Sequence, residues 1–222
     1  MYLQELSNLN EGRYDQHIFK AIFICGAPGS GKNYVMRNLG LLDTGLKLVD
    51  VDETLERLER MKAANRDDYK RGGEVTLRRQ NIWAKNYLGL NISTTGRLAE
   101  KTIEIDRELH KSGYDTMMIF VSVSKETALK RITSRPTSSQ YAADRGRRVD
   151  TEYFDAAYEQ IKYNIPLYES LFGDNFLTVT NEESLVEDAS TLQDTMQIAQ
   201  KKIRAFLNAP ISKKAQEILK HF

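Results

Sequence analysis

One glycine-rich segment of the chain has the residue types and spacing of a phosphate-binding loop. It reads Gly26-Ala27-Pro28-Gly29-Ser30-Gly31-Lys32-Asn33 and matches the P-loop (Walker A) spacing of a glycine, four residues, a glycine and a lysine. Glycines let the backbone curl so that successive N–H groups point at phosphate oxygens. The helix expected next adds the partial positive charge of its N-terminus. We expect all eight residues to bind nucleotide, with Lys32 at the β- and γ-phosphates.

The residue after the lysine departs from this pattern, in which a serine or threonine hydroxyl binds Mg²⁺. Here the residue is Asn33. Its amide oxygen can still ligate Mg²⁺, directly or through water, because this ion prefers oxygen ligands. We therefore expect Asn33 at the metal, and weakened or absent catalysis stays open as an alternative.

Two aspartates, Asp50 and Asp52, lie at the end of the segment Leu46–Val51, which is predicted to be the second strand. Alternate residues of a strand share a face, so both carboxylates are expected next to the P-loop in a doubly wound sheet. We predict that Asp52 orients or deprotonates an acceptor hydroxyl, and that Asp50 contacts the acceptor. In the alternative interpretation Asp52 N-caps the helix that begins at Glu53. The two roles are compatible.

Arginines suited to a moving phosphoryl group occur later in the chain, because a guanidinium matches phosphate geometry and stabilises its charge. They are Arg131, Arg135, Arg145, Arg147 and Arg148. We predict Arg131 and Arg135 as catalytic residues, and the loop of residues 135–148 as a lid. For each arginine alone, a solvated surface position is the alternative.

The elements that must position these residues alternate between apolar strands and helices. Strands are predicted at Lys20–Cys25, Leu46–Val51, Leu90–Thr94, Met117–Val123 and Phe176–Val179. Helices are predicted at Lys32–Leu39, Glu53–Ala64, Val75–Leu88, Ala99–Ser112, Lys125–Ser134 and Thr151–Leu171, the last broken or bent near Pro166. Alternation favours a parallel sheet with right-handed crossovers, whose sites lie at the carboxyl ends of its strands. We predict an α/β fold, the three-layer P-loop NTPase or kinase fold, with a mostly parallel sheet and helices on both faces.

Composition limits the class of protein and the number of domains. The 222 residues include 32 basic and 31 acidic side chains, a net charge of +1, which neither indicates nor excludes nucleic acid. No apolar run approaches the ~18 residues that cross a bilayer, and the polar N-terminus lacks a signal peptide's apolar core. The lone Cys25 lies in an apolar run and fits a buried thiol in a reducing cytoplasm. We divide the chain into a lead-in (1–19), a P-loop kinase domain (20–181) and a C-terminal helical extension (182–222), whose apolar positions favour packing back on the domain or an oligomer contact.

A small kinase is the kind of P-loop protein that the residues favour. A GTPase needs switch elements and a base-reading motif, which we do not find. A motor or transporter ATPase usually has an acid at the end of the third strand, where this chain has Ser93-Thr94-Thr95. A kinase needs a phosphate cradle, a carboxylate and mobile arginines, and the chain has all three.

These motifs resemble the zeta-toxin-like P-loop kinases, and in particular a branch found in tailed bacteriophages. Asp50-Val51-Asp52 matches the family's Asn-Ser-Asp, and Ser93-Thr94-Thr95-Gly96-Arg97 matches its Asp-Gly-Thr-Gly-Arg in part. Gly113-Tyr114-Asp115-Thr116, the strand after it, Arg131 and Arg135 match closely, so that the resemblance covers about residues 18–181. It implies ATP and Mg²⁺, an aspartate base, and Thr95 and Arg97 at the acceptor. Asn33 and Ser93 are departures that remove oxygens able to bind metal.

The resemblance leaves the acceptor open. The named toxins act on UDP-N-acetylglucosamine, whereas some phage relatives resemble kinases of 5-hydroxymethyluracil in DNA. A DNA base would have to leave the stack, and basic and aromatic residues are available: Arg66, Lys70, Arg71, Arg78, Arg79, Arg145–Arg148, Tyr69, Trp83 and Tyr87. Trp83 also fits a half-buried packing position. An inactive nucleotide-binding module and a slow ATPase are the competing hypotheses, and neither the oligomeric state nor a preference for ATP over GTP follows from the residues.

Overall fold

A five-stranded parallel sheet lies at the centre of the computed structural model, which describes residues 15–63, 68–134, 149–182 and 189–221. Its strands are β1 (Lys20–Cys25), β2 (Lys47–Val49), β3 (Leu90–Thr94), β4 (Asp115–Ser122) and β5 (Phe176–Thr180). Their order is β2-β3-β1-β4-β5, with every neighbouring pair parallel. The first strand in the sequence is therefore the central strand, and the loop after it emerges in the middle of the sheet edge where ligands bind.

Helices connect the strands and follow the last one. They are α1 (Lys32–Asn38), α2 (Val51–Arg60), α3 (Tyr69–Lys85), α4 (Ala99–Lys111), α5 (Lys125–Thr133), α6 (Thr151–Phe172), α7 (Ala189–Asn208) and α8 (Lys213–Lys220), with short 3₁₀ turns at Leu41–Asp43 and Gly173–Asn175. No helix in these ranges is long and apolar enough to cross a bilayer.

The central strand β1 is buried on both faces, and its alternate side chains belong to two different cores. Phe23 and Cys25 pack with residues of α4, α6 and α8. Ile22 and Ile24 pack with residues of α1 and α7 on the opposite face. Helices therefore cover both faces of a parallel sheet, and the predicted three-layer α/β fold is confirmed.

The C-terminal helices pack against this sheet. Met196, Ile203 and Phe206 of α7 lie in the second core, so the prediction that the tail helix packs back on the domain is confirmed. The link between α7 and α8 is also tied to the sheet, because the buried Lys20 ammonium is 2.7 Å from Asp115 and 3.4 Å from the carbonyl oxygen of Pro210. The boundary at residues 181 and 182 stays a prediction.

Two predictions for the helices, a break near Pro166 and a start at Val75, are wrong for identifiable reasons. The helix α6 continues through Pro166 without a break. Pro166 is exposed and removes one backbone donor, while the buried side of the helix packs on both sides of it. The helix α3 begins at Tyr69 rather than Val75, because Asp68 N-caps it. Gly72 concealed this start in the sequence, although a Cβ there would lie 2.7 Å from the side chain of Leu55.

Candidate active site

The predicted phosphate loop joins β1 to α1 and has tight internal contacts. The Ser30 amide donates to the Ala27 carbonyl at 3.0 Å. Gly29 and Gly31 both have φ of +81°, a conformation that favours glycine. A Cβ on Gly29 would lie 2.4 Å from the carbonyl oxygen of Ala128. The loop therefore has a curled, side-chain-free backbone of the kind that accommodates phosphate oxygens.

The two polar side chains at the start of α1 lie at the rim of this loop. Lys32 is half-buried, and its Nζ donates to the carbonyl oxygen of Gly26 at 2.9 Å. Asn33 is exposed. Both residues line the cavity described below, so the side chains predicted to bind phosphate and metal share one space.

The structure corrects the prediction for the two aspartates. β2 ends at Val49, so Asp50 and Asp52 do not alternate along a strand. Asp50 is extended (φ −142°), and its Oδ1 accepts a hydrogen bond from the Glu53 amide at 2.9 Å. The N-cap role considered for Asp52 therefore belongs to Asp50, because α2 begins two residues earlier than predicted. Asp52 lies in the first helical turn, and both aspartates line the cavity.

Tyr69 contacts the predicted base directly. Its hydroxyl donates a hydrogen bond to Oδ1 of Asp52, and Tyr69 also lines the cavity. Only Oδ1 is engaged in this bond, which orients the carboxylate. Sequence reasoning considered Tyr69 only as a base-stacking residue, because the contact joins residues 17 positions apart across two helices and no local pattern reports it.

The turn after β3 forms another wall, and α6 holds it in place. Ser93 and Thr95 line the cavity. The carbonyl oxygen of Gly96 accepts hydrogen bonds from the Tyr168 hydroxyl at 2.7 Å and from Asn164 Nδ2 at 3.0 Å. Asn164 and Tyr168 were missed from the sequence, although their spacing of four residues places them on one face of a helix.

Arg97, predicted at the acceptor, lies beside the cavity instead of in its wall. Its guanidinium is 5.3 Å from the centre of the Tyr153 ring, and Tyr153 does line the cavity. Arg97 therefore contacts the site through this aromatic ring, an arrangement favourable for a cation.

Cys25 is a packing residue of this region. It is fully buried, and its Sγ donates to the carbonyl oxygen of Thr95 at 3.5 Å. Burial raises the pKa of its thiol to about 12, although the charge of Lys32 acts in the opposite direction. A neutral buried thiol is not a nucleophile, and the predicted structural role of Cys25 is confirmed.

These elements enclose a cavity of about 460 Å³ between the phosphate loop, the ends of β2 and β3, and helices α3 and α4. Its wall combines apolar and polar side chains: Phe23, Val49, Leu77, Ile92, Leu98 and Ile105, and Thr76, Gln80, Ser93, Thr95, Lys101 and Thr102. Its size lies in the usual range of small-molecule sites, and it connects Lys32 to Asp52.

One predicted arginine lies beside the phosphate loop. Nη1 of Arg131 is 3.7 Å from the position that a Cβ on Gly31 would occupy. Arg131 belongs to α5, whose predicted cap is confirmed, since Ser124 Oγ accepts from the Thr127 amide at 3.2 Å. The other four predicted phosphate-contacting arginines (Arg135, Arg145, Arg147, Arg148) lie outside the described residues.

The residues considered for stacking a DNA base have different positions. Trp83 is half-buried against the first core, as its alternative interpretation held, with the Arg79 guanidinium 4.6 Å from its ring centre. Tyr87 stacks on Phe19. Arg79 also donates to Glu53 at 3.1 Å. Lys70, Arg71 and Arg78 are exposed on α3, and Arg66 lies outside the described residues.

The residues present are compatible with Mg²⁺ on a nucleotide. In the described ranges no three His, Cys, Asp or Glu side chains group to hold a metal ion. Mg²⁺ does not require such a group, because it usually binds one or two carboxylates together with substrate phosphates and water. Asn33, Asp50 and Asp52 line the same cavity as Lys32 and supply suitable oxygens.

A parallel sheet with this strand order and a P-loop after its central strand defines the class of P-loop kinases. Comparison with protein families gives the narrower assignment: the model of the zeta toxin family matches residues 10–185. The chain therefore belongs to the zeta toxin family, and the predicted family resemblance is confirmed at that level.

Solved structures share the fold at low sequence identity. A candidate kinase from Chloroflexus aurantiacus is 20% identical with a TM-score of 0.57, covering 84% of this chain and 97% of that chain. A structure of the PezAT chromosomal toxin–antitoxin system of Streptococcus pneumoniae is 14% identical with a TM-score of 0.55. The match covers 94% of this chain and 93% of that chain. At these identities the likeness concerns the fold alone. No curated protein matches the chain.

Proposed function

We propose that the protein is an ATP-dependent kinase that transfers the γ-phosphate to a hydroxyl group of a nucleotide-type acceptor. The observation that carries this proposal is the continuous cavity that joins Lys32 of the phosphate loop to the carboxylate of Asp52. Phosphoryl transfer needs little more than a positioned donor, a positioned hydroxyl and compensation of charge.

The proposed roles follow from position. The loop amides and Lys32 bind the donor's phosphates. A carboxylate oxygen of Asp52 takes the proton of the acceptor hydroxyl as its oxygen bonds to the γ-phosphorus, and the bond from that phosphorus to the β-bridging oxygen breaks. Mg²⁺ on the phosphates would neutralise charge on them, with Asn33 as its protein oxygen. Asp50, which lines the same cavity, contacts the acceptor.

Charge compensation from the protein comes from arginines. Arg131 lies against Gly31, where its guanidinium can contact the transferred group. We assign Arg135 the same role from the sequence, where it follows Arg131 by four residues.

The acceptor is proposed from the cavity wall. Apolar residues such as Phe23 and Ile92 alternate there with hydroxyl and amide groups such as Thr76 and Gln80, which suits a base or sugar ring bearing a hydroxyl. The exposed Lys70, Arg71 and Arg78 lie on α3, the helix that forms one wall, and could contact a nucleic acid backbone.

A hydroxymethyluracil base in phage DNA is the acceptor that we propose first, with Thr95 at the acceptor and Arg97 beside it. A nucleotide sugar of the zeta-toxin type is the alternative. We place the reaction in the cytoplasm, of the host cell where the chain is phage-encoded, because the buried thiol of Cys25 fits a reducing compartment.

The test offers γ-labelled ATP and Mg²⁺ with hydroxymethyluracil-containing DNA, ordinary DNA, nucleosides and nucleotide sugars in parallel. We expect label on one acceptor class, loss of transfer in both Lys32→Ala and Asp52→Asn, and unchanged ADP binding in Asp52→Asn. Transfer at the wild-type rate in Asp52→Asn would leave Asp50 as the base. Transfer that survives Lys32→Ala would refute the proposed mechanism.

A second candidate function, a nucleotide-binding module or slow ATPase, is favoured by Asn33 at the metal position. If Asn33 holds Mg²⁺ less well than the serine or threonine usual at this position, metal affinity limits turnover. Asn33→Ser should then raise the rate and lower the Mg²⁺ concentration that gives half-maximal activity. Label found only in free phosphate, in both proteins, would favour the ATPase.

A further inference from the structure

A buried asparagine after β5 contacts the phosphate loop from outside the cavity. Asn181 is 7% exposed, and its amide donates to the Ser122 carbonyl at 2.8 Å, which fixes its backbone to the end of β4. Its side-chain Nδ2 donates to the carbonyl oxygen of Ser30 at 2.8 Å. This hydrogen bond joins residues 151 positions apart, so only the tertiary structure creates it.

The bond acts on the peptide unit between Ser30 and Gly31. The described chain has no cis peptide bond, and in a trans peptide the C=O and N–H groups point in opposite directions. Binding the Ser30 carbonyl therefore orients the Gly31 N–H away from Asn181. Among the described residues, no backbone acceptor is present for that N–H.

Steric contact restricts the same peptide. Asn181 Nδ2 would lie 2.3 Å from a Cβ on Gly31, so the amide packs against the Cα of this residue. Gly31 precedes Lys32, whose ammonium is placed at the β- and γ-phosphates. Because amides of such a loop point at phosphate oxygens, the Gly31 N–H is a candidate donor to the β-phosphate of a nucleotide.

We infer that Asn181 is a positioning residue for nucleotide binding: it fixes the Ser30–Gly31 peptide so that the Gly31 N–H binds the β-phosphate. The inference rests on the proposed binding of nucleotide at the P-loop. A donor that is already fixed in position binds phosphate without the entropy cost of ordering it, and this raises the affinity.

The next residue provides a matched control. Glu182 accepts hydrogen bonds from the amide of Ser124 and, at 2.8 Å, from the hydroxyl of Thr127. It thus stabilises the start of α5, whereas its hydrogen bonds within the described residues do not include the phosphate loop. Glu182→Gln changes the same end of β5 and leaves the Ser30–Gly31 peptide alone.

The experiment measures ADP and AMP affinities of the full chain by calorimetry, with AMP in competition against ADP. Asn181→Ala removes the donor without adding a charge beside the phosphates. We expect about a tenfold loss of ADP affinity, of the order of one hydrogen bond to a charged group, and unchanged AMP affinity. Glu182→Gln should keep the wild-type ratio of the two affinities. A merely structural role for Asn181 would not change that ratio.

Two further results keep the outcomes separate. If Asn181→Ala does not fold in a thermal scan, Asn181→Leu, which has a similar branched shape and also lacks the donor, carries the test. Unchanged ADP affinity in a folded variant, or equal losses for ADP and AMP, overturns the inference while the proposed function stands. A wild-type chain that binds ADP no more tightly than AMP overturns the nucleotide-binding proposal itself.

Discussion

Gly96, in the turn after β3, provides a quantitative test of how tightly this wall of the cavity is packed. Its φ is +74°, and a Cβ at this position would lie 2.1 Å from Sγ of Cys25. Gly45 has a similar φ of +81°, but no atom lies within 4 Å of the position that its Cβ would occupy. Substitution of each glycine by alanine therefore separates backbone strain from steric overlap.

The two substitutions should lower the free energy of unfolding by amounts that differ only through the steric overlap with Cys25. A left-handed alanine costs about 1 kcal/mol relative to glycine, so Gly45→Ala should lower the free energy of unfolding by about that amount. Gly96→Ala adds an overpacking cost of about 2 kcal/mol, since Cys25 is fully buried. For a chain of this length, 1 kcal/mol corresponds to about 2–4 °C in Tm, so the two variants should differ by about 4–8 °C.

Urea unfolding followed by circular dichroism measures both variants, and unchanged m-values would show that only stability has changed. Cys25→Ala removes the sulfur that overlaps. In that background, Gly96→Ala should cost only about 1 kcal/mol, which gives a coupling energy of about 2 kcal/mol. Equal losses for Gly45→Ala and Gly96→Ala, or additive losses in the double variant, would refute the reasoning.

The remaining predictions concern groups around this wall and on α4. Because burial raises the pKa of the Cys25 thiol to about 12, a disulfide reagent at pH 8 should label it far more slowly in the native chain than in urea. Tyr168→Phe should cost about 1 kcal/mol. Asn164→Ala, which removes a donor from the carbonyls of both Gly96 and Arg97, should cost about 2 kcal/mol. Urea unfolding measures both. A hydrogen bond to Asp106 raises the pKa of His110. The resulting stability is complete below the unfolded pKa of about 6.5 and is lost as pH rises through the folded pKa, so His110→Gln should flatten that part of the pH dependence of unfolding.

Most of the architecture was predictable because it depends on local patterns. Continuous apolar runs between helical segments predicted the strands, and their alternation predicted the parallel sheet. The P-loop was predictable for the same reason, since its glycines, Lys32 and Asn33 are adjacent in the chain. The exact limits of elements were less predictable: Asp50 rather than Asp52 caps α2, because either carboxylate satisfies the local rule for a cap.

The sequence by itself therefore determined the phosphate loop, the layered fold and the family, all of which depend on residues close together in the chain. Only the tertiary structure decided which distant side chains support the site. Tyr69 binds Asp52, Asn164 and Tyr168 bind the turn after β3, and Asn181 binds the loop carbonyl of Ser30. The physical reason is that a hydrogen bond between residues far apart in sequence has no periodicity, and it exists only once the sheet order brings their elements together.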